Sequence, residues 1–308
     1  MASRWRGQRG RCEVWYTTIT DPATGTGIWL HHELISPSTP GTSAYGHGFV
    51  AVFPPDAAPT MVRFGPCPWR PQGDTIFATD TVAMTRDSFT GAVGPITWDL
   101  TATCGSTRPM FTFPHWAWCH GLLPAAHLVA TPGARHTGTV HIGEHVIELR
   151  DAPGATSRIY GHGNARRWCW LHADLGNGNI LEIVAAVAMR PGLRRLPPLP
   201  MVKLRLDGAD WPAHDPLLAS FRFRADIGLP RWTVTGASGG RRLQVTVHQP
   251  PERTLAVAYT DPDGRTCTCH NTEVADADIL LERRGPDGWQ PERRWRLQGT
   301  AHAEVGLR

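Results

Sequence analysis

The stretch Tyr160–Val184, YGHGNARRWCWLHADLGNGNILEIV, decides how the sequence is interpreted. Trp168, Trp170 and His172 recur at every second position, so in a β-strand their side chains would share one face. The following LGNGN motif predicts a tight turn, because Asn-Gly readily adopts positive φ. A return strand at Ile180–Val184 would then bring Glu182 beside these rings. The stretch predicts a β-hairpin that gathers two Trp, a carboxylate, and, counting His162 before it, two His.

Two interpretations of this hairpin are open. Aromatic residues at period two are common in the core of a β-protein, where they pack against a facing sheet. The added His and Glu side chains are instead typical of a cavity wall or a functional site. The sequence alone supports both.

Composition predicts a folded protein with much hidden aromatic surface. The chain has 308 residues, of which 41% are hydrophobic and 19% charged, so two domains are the default expectation. Thirteen Trp residues require two cores or a sizeable cavity to cover them.

Charge and hydropathy exclude several classes of protein. The net charge is only +4, and apart from a basic tail at residues 1–11 the Lys and Arg residues are scattered, which disfavours nucleic-acid binding. The sequence has neither an apolar run long enough to span a membrane nor a secretory signal. We therefore expect a cytoplasmic protein, with peripheral membrane contact left open.

The seven cysteines predict free thiols. Their number is odd and their spacing matches neither a disulfide framework nor a four-ligand zinc site. Cys267 and Cys269 would share a strand face, but no second ligand pair lies at zinc-finger spacing. We expect buried thiols in a reducing compartment and no structural metal.

The N-terminal half reads as a series of strands. Cys12–Thr20 and Gly27–Ile35 predict a hairpin in which Trp29, His31 and Glu33 share one face. An exposed outer face would also accommodate His and Glu, so that alternative is open. Ala44–Phe53 predicts another strand, with His47 between two glycines that permit close approach of backbone or ligand.

Two later segments extend this pattern. Ile96–Thr103 predicts a strand carrying Trp98 and Asp99. Thr137–Leu149 predicts a hairpin, and Asp151–Gly154 a turn that leads to the central hairpin. The intervening RPMFTFPHWAWCHGLL, with Trp116 and Trp118, is interrupted by Pro114, and we interpret it as an aromatic segment that crosses a cavity mouth.

Prolines at Arg190–Pro200 mark the best domain boundary. We predict an N-terminal domain at residues 12–195 and a C-terminal domain at 196–308. Short strands separated by Gly, Asp and Pro turns follow the boundary, and they include Cys267–Glu273 and Asp278–Arg283 as two separate strands. No long amphipathic helix occurs. The predicted fold is all-β, with two antiparallel sandwich or barrel units packed together.

This pattern resembles the lipocalin-like superfamily of carotenoid 1,2-hydratase (hydroxyneurosporene synthase), AttH-like proteins and tocopherol cyclases. Some Diels–Alderases are similar in general architecture. The residues that carry the resemblance are Val14-Trp15-Tyr16, Trp29, Gly161-His162-Gly163, Arg167–His172, Tyr259 with Asp261–Gly264, Asn271 and Ala303–Gly306.

The resemblance implies a hydrophobic isoprenoid, polyene or polyketide-like ligand and no cofactor. Hydration or cyclisation of an alkene needs a strong acid and aromatic faces for the resulting cation, and Trp suits that role best. A carboxyl group in an apolar pocket has a raised pKa, so Glu182 or Glu33 is the candidate acid, oriented by His162 or His172. The candidate ligand-binding residues are Trp15, Tyr16, Trp29, His31, His47, Trp98, Asp99, Trp116, Trp118, Trp168, Trp170, Tyr259 and Asn271.

Other functions stay open at this point. A pericyclic enzyme needs only shape, apolar walls and one hydrogen-bond donor, and a non-catalytic carrier needs only the cavity. A catalytic metal held by His31, His47, His162 and His172 is a less favoured alternative. A serine hydrolase is disfavoured, because the sequence has no G-x-S-x-G motif and no strand–helix alternation.

Overall fold

The structure is a computed structural model that describes residues 3–69, 73–104, 108–120, 123–189 and 195–308. Its strands are β1 (Arg11–Thr20), β2 (Gly27–Ser36), β3 (Tyr45–Phe53), β4 (Thr60–Pro68), β5 (Phe77–Ala78), β6 (Val82–Met84), β7 (Ser88–Val93), β8 (Ile96–Thr103), β9 (Met110–Phe111), β10 (Ala125–Ile142), β11 (His145–Gly161), β12 (Arg167–Asp174), β13 (Ile180–Val187), β14 (Leu199–Leu206), β15 (Ala209–Trp211), β16 (Phe223–Asp226), β17 (Arg231–Ser238), β18 (Arg241–His248), β19 (Leu255–Thr260), β20 (Thr266–Gly285) and β21 (Gly288–Leu307). The described helices are short: α1 (His115–His120), α2 (Pro216–Ser220) and a 3₁₀ turn (Pro251–Arg253).

The strands form two antiparallel sheets, which confirms the all-β, two-unit prediction. The first sheet has the order β4-β3-β2-β1-β11-β10-β8-β7-β6-β5, with β9 beside β10. The second has the order β15-β14-β13-β12-β21-β20-β18-β17-β16, with β19 beside β20. Both sheets curve: β4 approaches β7 and β14 approaches β16.

The chain passes from the first sheet to the second between Gly161 and Arg167. The central hairpin β12–β13 pairs with β21 on one side and β14 on the other, so it belongs to the second sheet. This transition lies before the predicted domain boundary at 195/196, because β13 and β14 are direct neighbours across the proline-rich connector. Residues 190–194 of that connector lie outside the described residues, and the domain division stays a prediction.

Several predicted strands are parts of longer ones. The hairpin predicted at Thr137–Leu149 is the tip of β10 and β11, and Cys267–Glu273 and Asp278–Arg283 both belong to β20. The register of each long pair shifts at several points, including one between Thr272 and Ala275. Such β-bulges bend a strand without ending its pairing, which is why the turn expected at Asp151–Gly154 is a strand segment instead.

Alternation along β1 and β2 assigns side chains to different cores. Trp15 and Leu30 point into a cluster enclosed by the first sheet, whereas Tyr16 and Trp29 join a cluster between the two sheets. A separate cluster fills the second sheet. All ten residues of β2 are buried, so both of its faces are covered and the exposed-face alternative for His31 and Glu33 is wrong.

The basic N-terminal segment is tethered from its third residue onward. The buried carboxylate of Glu13 accepts hydrogen bonds from Ser3 Oγ (2.7 Å) and the backbone N–H of Arg4 and Trp5. The Arg158 guanidinium also contacts Glu13, which neutralises the buried charge. Among the described residues, no helix is long and apolar enough to cross a membrane.

Candidate active site between the two sheets

A cavity of about 130 Å³ lies in the cluster between the sheets. The first sheet contributes Tyr16 and Trp29, and the second contributes Trp168, Trp170 and Glu304. These side chains meet because β1 and β2 of the first sheet pack against β12 and β21 of the second, each strand with the face that points away from its own sheet's core. Period-two alternation therefore turns every second residue of these four strands toward the cavity.

Glu304 is the carboxyl group of the second sheet that lines this cavity. The indole Nε1–H of Trp168 donates to its Oε1 at 2.6 Å, and the Cys269 thiol donates to its Oε2 at 3.4 Å. Burial raises the pKa of Glu304 above its ordinary value, outweighing the opposing effect of these donors. A carboxyl group whose pKa is raised beside indole rings is better suited to hold and donate a proton.

Glu182 lies behind the cavity wall and is fully buried. Its Oε1 accepts the Nε1–H of Trp170 at 2.6 Å, and its Oε2 contacts Nδ1 of His172 at 2.8 Å. Glu182 thus fixes the Trp170 ring, and it does not itself reach the cavity.

Glu33 lines the opposite wall and has a different protonation behaviour. His47 Nε2 lies 3.3 Å and His31 Nε2 3.4 Å from Glu33 Oε2. Burial raises the pKa of Glu33, but the two imidazoles outweigh burial and bring the pKa down to about 2. Glu33 is therefore ionised near neutral pH, which makes it a poor proton donor.

A tyrosine–histidine pair completes the wall. The Tyr16 hydroxyl lies 2.8 Å from His127 Nε2, and Thr112 Oγ1 lies 2.7 Å from His127 Nδ1. Burial lowers the pKa of His127 to about 4, so this imidazole is neutral near pH 7. Burial also raises the pKa of Tyr16 well above its ordinary value, which keeps its hydroxyl protonated.

Many of the predicted residues gather at this cavity. The predicted residues that line it are Tyr16, Trp29, His31, Glu33, Trp168, Trp170 and Tyr259. Directly behind it lie Glu182 and His172, together with His47 beside Glu33. Asn271 is buried in the same region and interacts with Glu304.

Other predicted residues lie away from the cavity. Trp15 and Trp98 pack in the core of the first sheet, because they alternate with residues that face outward. Asp99 and Trp116 are exposed, and Trp118 packs against the guanidinium groups of Arg4 and Arg158. The crossing segment still reaches the cavity, through Phe113.

The glycines beside His162 and His47 serve backbone packing. A Cβ on Gly161 would lie 2.5 Å from the Pro124 carbonyl oxygen, and one on Gly48 would lie 1.9 Å from the His31 carbonyl oxygen. His162 itself is exposed and contacts Arg11. Gly161 and Gly48 thus allow close strand packing, whereas Gly163 lines the cavity.

The four histidines of the metal hypothesis do not converge. His31 and His47 share Glu33, His172 contacts Glu182 in the other sheet, and His162 is at the surface. In the described ranges, no group of three or more His, Cys, Asp or Glu side chains has a metal-binding arrangement.

Sequence reasoning missed several residues of the site, among them Glu304, His127 and Phe113. Glu304 stands in the closing strand as a carboxylate between Ala303 and Val305, both of which are buried. His127 interrupts the apolar run AAHLVA. A polar residue within a buried strand was the available signal in both cases.

Comparison with known proteins identifies the family. The tocopherol cyclase-like family model matches residues 89–307. An uncharacterised protein of Mycobacterium tuberculosis, present in strains CDC 1551 / Oshkosh and ATCC 25618 / H37Rv, is 46% identical over 306 residues, which is 99% of this chain and 89% of that protein.

Solved structures share the fold. The crystal structure of CghA with Sch210972 aligns with a TM-score of 0.59 at 12% identity, and that of CghA alone with 0.60 at 11%. Kievitone hydratase from Nectria haematococca aligns with a TM-score of 0.54 at 10% identity. Each alignment covers 96% of this chain and 88% of the other. These matches confirm the predicted lipocalin-like architecture, and the chain belongs to the tocopherol cyclase-like family.

Proposed function

We propose that this protein is a cyclase or hydratase that binds the unsaturated end of an apolar molecule between its two sheets and protonates a carbon–carbon double bond. The observation that carries the proposal is Glu304, a carboxyl group with a raised pKa on the wall of an indole-lined cavity. The family membership and the name of kievitone hydratase support the same reaction class.

The reaction needs only groups already at the site. Glu304 gives its proton to one alkene carbon, and the adjacent carbon becomes a cation. The faces of Trp168 and Trp170 stabilise that cation. Capture by water followed by loss of a proton gives an alcohol, whereas capture by a hydroxyl of the same molecule closes a ring. Neither route needs a cofactor.

Cavity size favours an enzyme over a carrier of long lipids. An apolar cavity of about 150 Å³ holds one benzene ring, so about 130 Å³ accommodates a single ring or isoprene unit. Pockets that enclose a whole drug-sized ligand measure roughly 300 Å³ or more. The cavity thus suits the reacting end of a molecule whose remaining chain extends beyond it.

The test uses a geranyl-substituted hydroquinone as substrate, with Glu304→Gln against the exposed control Glu148→Gln. Ring closure leaves the mass of the substrate unchanged and alters its chromatographic retention, whereas hydration adds the mass of one water molecule. We expect Glu304→Gln to lower turnover by about 100-fold or more while binding persists, and Glu148→Gln to match the wild type.

Three results would redirect the proposal. Undiminished turnover by Glu304→Gln would favour a pericyclic mechanism. Binding without conversion would favour a carrier, and native mass spectrometry of the purified protein, with organic extraction, would then identify its cargo. If no apolar molecule binds or co-purifies, the cavity is ordinary packing between sheets.

A further inference from the structure

We propose that Tyr16 is the proton-accepting residue of this site: its oxygen receives the hydrogen bond of the attacking hydroxyl or water, and its own proton passes to His127. The inference rests on the proposed function and assigns the second half of that reaction, the removal of a proton from the nucleophile. In this step no carboxyl group accepts the proton.

The hydrogen bonds around His127 determine its tautomer. Thr112 Oγ1 donates to the His127 carbonyl oxygen at 3.1 Å, so its own proton is committed there. The same oxygen therefore accepts the Nδ1–H of His127 at 2.7 Å. Nδ1 carries the proton of the neutral ring, and Nε2 presents a lone pair.

That tautomer orients the Tyr16 hydroxyl. Because Nε2 of His127 is an acceptor, Tyr16 donates its O–H along the 2.8 Å contact. One lone pair of the Tyr16 oxygen faces the Ser157 hydroxyl, and the other is then available to accept a hydrogen bond. Since both Tyr16 and His127 line the cavity, a bound hydroxyl group can reach that oxygen.

The second sheet places a carboxyl group beside the proton acceptor. Glu182 Oε1 lies 3.7 Å from His127 Nε2, where a carboxylate stabilises an imidazolium. Glu182 is held there by Trp170 and His172, and the Tyr16 ring packs edge-on against Trp170 at 5.2 Å. The three groups Tyr16, His127 and Glu182 thus meet only where the two sheets face each other.

The proton balance closes over one turnover. Glu304 loses a proton to the alkene, and the nucleophile loses one to Tyr16 as Tyr16 gives its own to His127. The product leaves with one new C–H bond and one new C–O bond, and the imidazolium proton then returns to the Glu304 carboxylate through a water molecule in the emptied cavity. Nothing is oxidised or reduced.

The test compares two probes of equal shape, para-fluorophenol and para-fluorotoluene, by fluorine NMR titration. We expect the wild type to bind para-fluorophenol more tightly than para-fluorotoluene. In Tyr16→Phe the ratio of the two dissociation constants should fall about 10-fold, because one hydrogen bond of roughly 1.4 kcal/mol is lost. Tyr160→Phe is the matched control, because Tyr160 is buried on the opposite side of the first sheet and contacts Arg4.

The variant His127→Gln distinguishes two roles of the pair: binding of the ligand hydroxyl by Tyr16, and acceptance of a proton by His127. The glutamine oxygen can still accept the Tyr16 O–H, so the preference for the phenol should persist. Turnover of the geranyl hydroquinone should fall about 100-fold, with KM little changed, because an amide cannot take the proton.

The outcomes are distinct from those for the proposed function. An unchanged phenol preference in Tyr16→Phe overturns the role of Tyr16, even where Glu304→Gln is inactive. Failure of the wild type to bind either probe overturns both proposals. If Tyr160→Phe loses as much of the preference for the phenol as Tyr16→Phe does, the assignment is also overturned, since the effect would then be a general loss of stability.

Discussion

Replacement of Gly306 by Ala tests whether the position of the Trp168 indole controls the site. Gly306 is the cross-strand partner of Trp168 in the β12–β21 pair. The Trp168 ring lies over it, and a Cβ there would come within 2.1 Å of the ring atom Cζ2. The glycine leaves room for the ring at this position.

The size of the effect follows from these distances. Ordinary contact begins at 3.4 Å, so the indole must retreat by about 1 Å, and overpacking of this kind costs about 1–3 kcal/mol. The Nε1–Oε1 hydrogen bond to Glu304, now 2.6 Å, cannot survive such a shift at its present geometry. Loss of that donor moves the pKa of Glu304 further upward, because the Trp168 hydrogen bond now lowers it.

Gly91→Ala is a matched control. Gly91 pairs with Trp98 in the β7–β8 hairpin, and a Cβ there would also lie 2.1 Å from the ring atom Cζ2. Trp98 belongs to the core of the first sheet, away from the cavity. We expect both variants to melt several degrees lower, at about 2–4 °C per kcal/mol. Only Gly306→Ala should also weaken para-fluorotoluene binding, by about 10-fold.

Equal binding of para-fluorotoluene by the two variants would refute this reasoning. Trp168 would then contribute to stability alone, and its indole would not be part of the cavity wall that holds a ligand. Thermal melting and circular dichroism on the same samples ensure that only folded protein is compared.

Two further predictions concern the buried carboxyl groups. The pKa of Glu33 is about 2 in the folded protein against an ordinary 4.5, so its ionised form contributes about 3 kcal/mol of stability above pH 4.5, which is lost as the pH falls toward 2. Glu33→Gln should therefore unfold at a lower urea concentration than the wild type at pH 7, and this difference should shrink below about pH 4. A difference in stability that does not depend on pH would contradict the conclusion that His31 and His47 lower the pKa of Glu33. The pKa of Glu304 is raised instead, so its contribution is complete below its ordinary pKa and is lost as the pH rises through the raised value. Glu304→Gln should match the wild type in thermal stability under acidic conditions and exceed it under alkaline ones, and the opposite trend in a melting series would show that this carboxyl group is ionised in the fold.

The sequence pattern within single strands predicted much of the site, because the alternation of side chains between the two faces of a strand depends only on neighbouring residues. The shared face of Trp29, His31 and Glu33, and that of Trp168, Trp170 and His172, follow from period two alone, and both occur in the structure. The same rule could not assign an acid. Glu33 and Glu182 have the residue type, but the low pKa of Glu33 depends on His47, which lies on the next strand, and neither strand pattern shows that Glu304 lines the cavity.

Long-range pairing decided what local pattern could not. Glu304 meets Trp168 across 136 positions, and Tyr16 meets His127 across 111, so neither contact leaves a signal in a short window of sequence. Bulged strands such as β20 looked like two elements, because each bulge interrupts the alternation on which the prediction depends.

The sequence by itself determined that the chain is an all-β protein of two antiparallel units and which side chains share a strand face. These properties depend on residues close together in the chain, where sterics and side-chain alternation act directly. Only the tertiary structure decided which faces cover each other, and therefore which carboxyl group has a raised pKa, which has a lowered one and which hydroxyl faces the cavity. The physical reason is that protonation and cavity shape depend on burial and on neighbouring charges, and both arise only when the two sheets pack together.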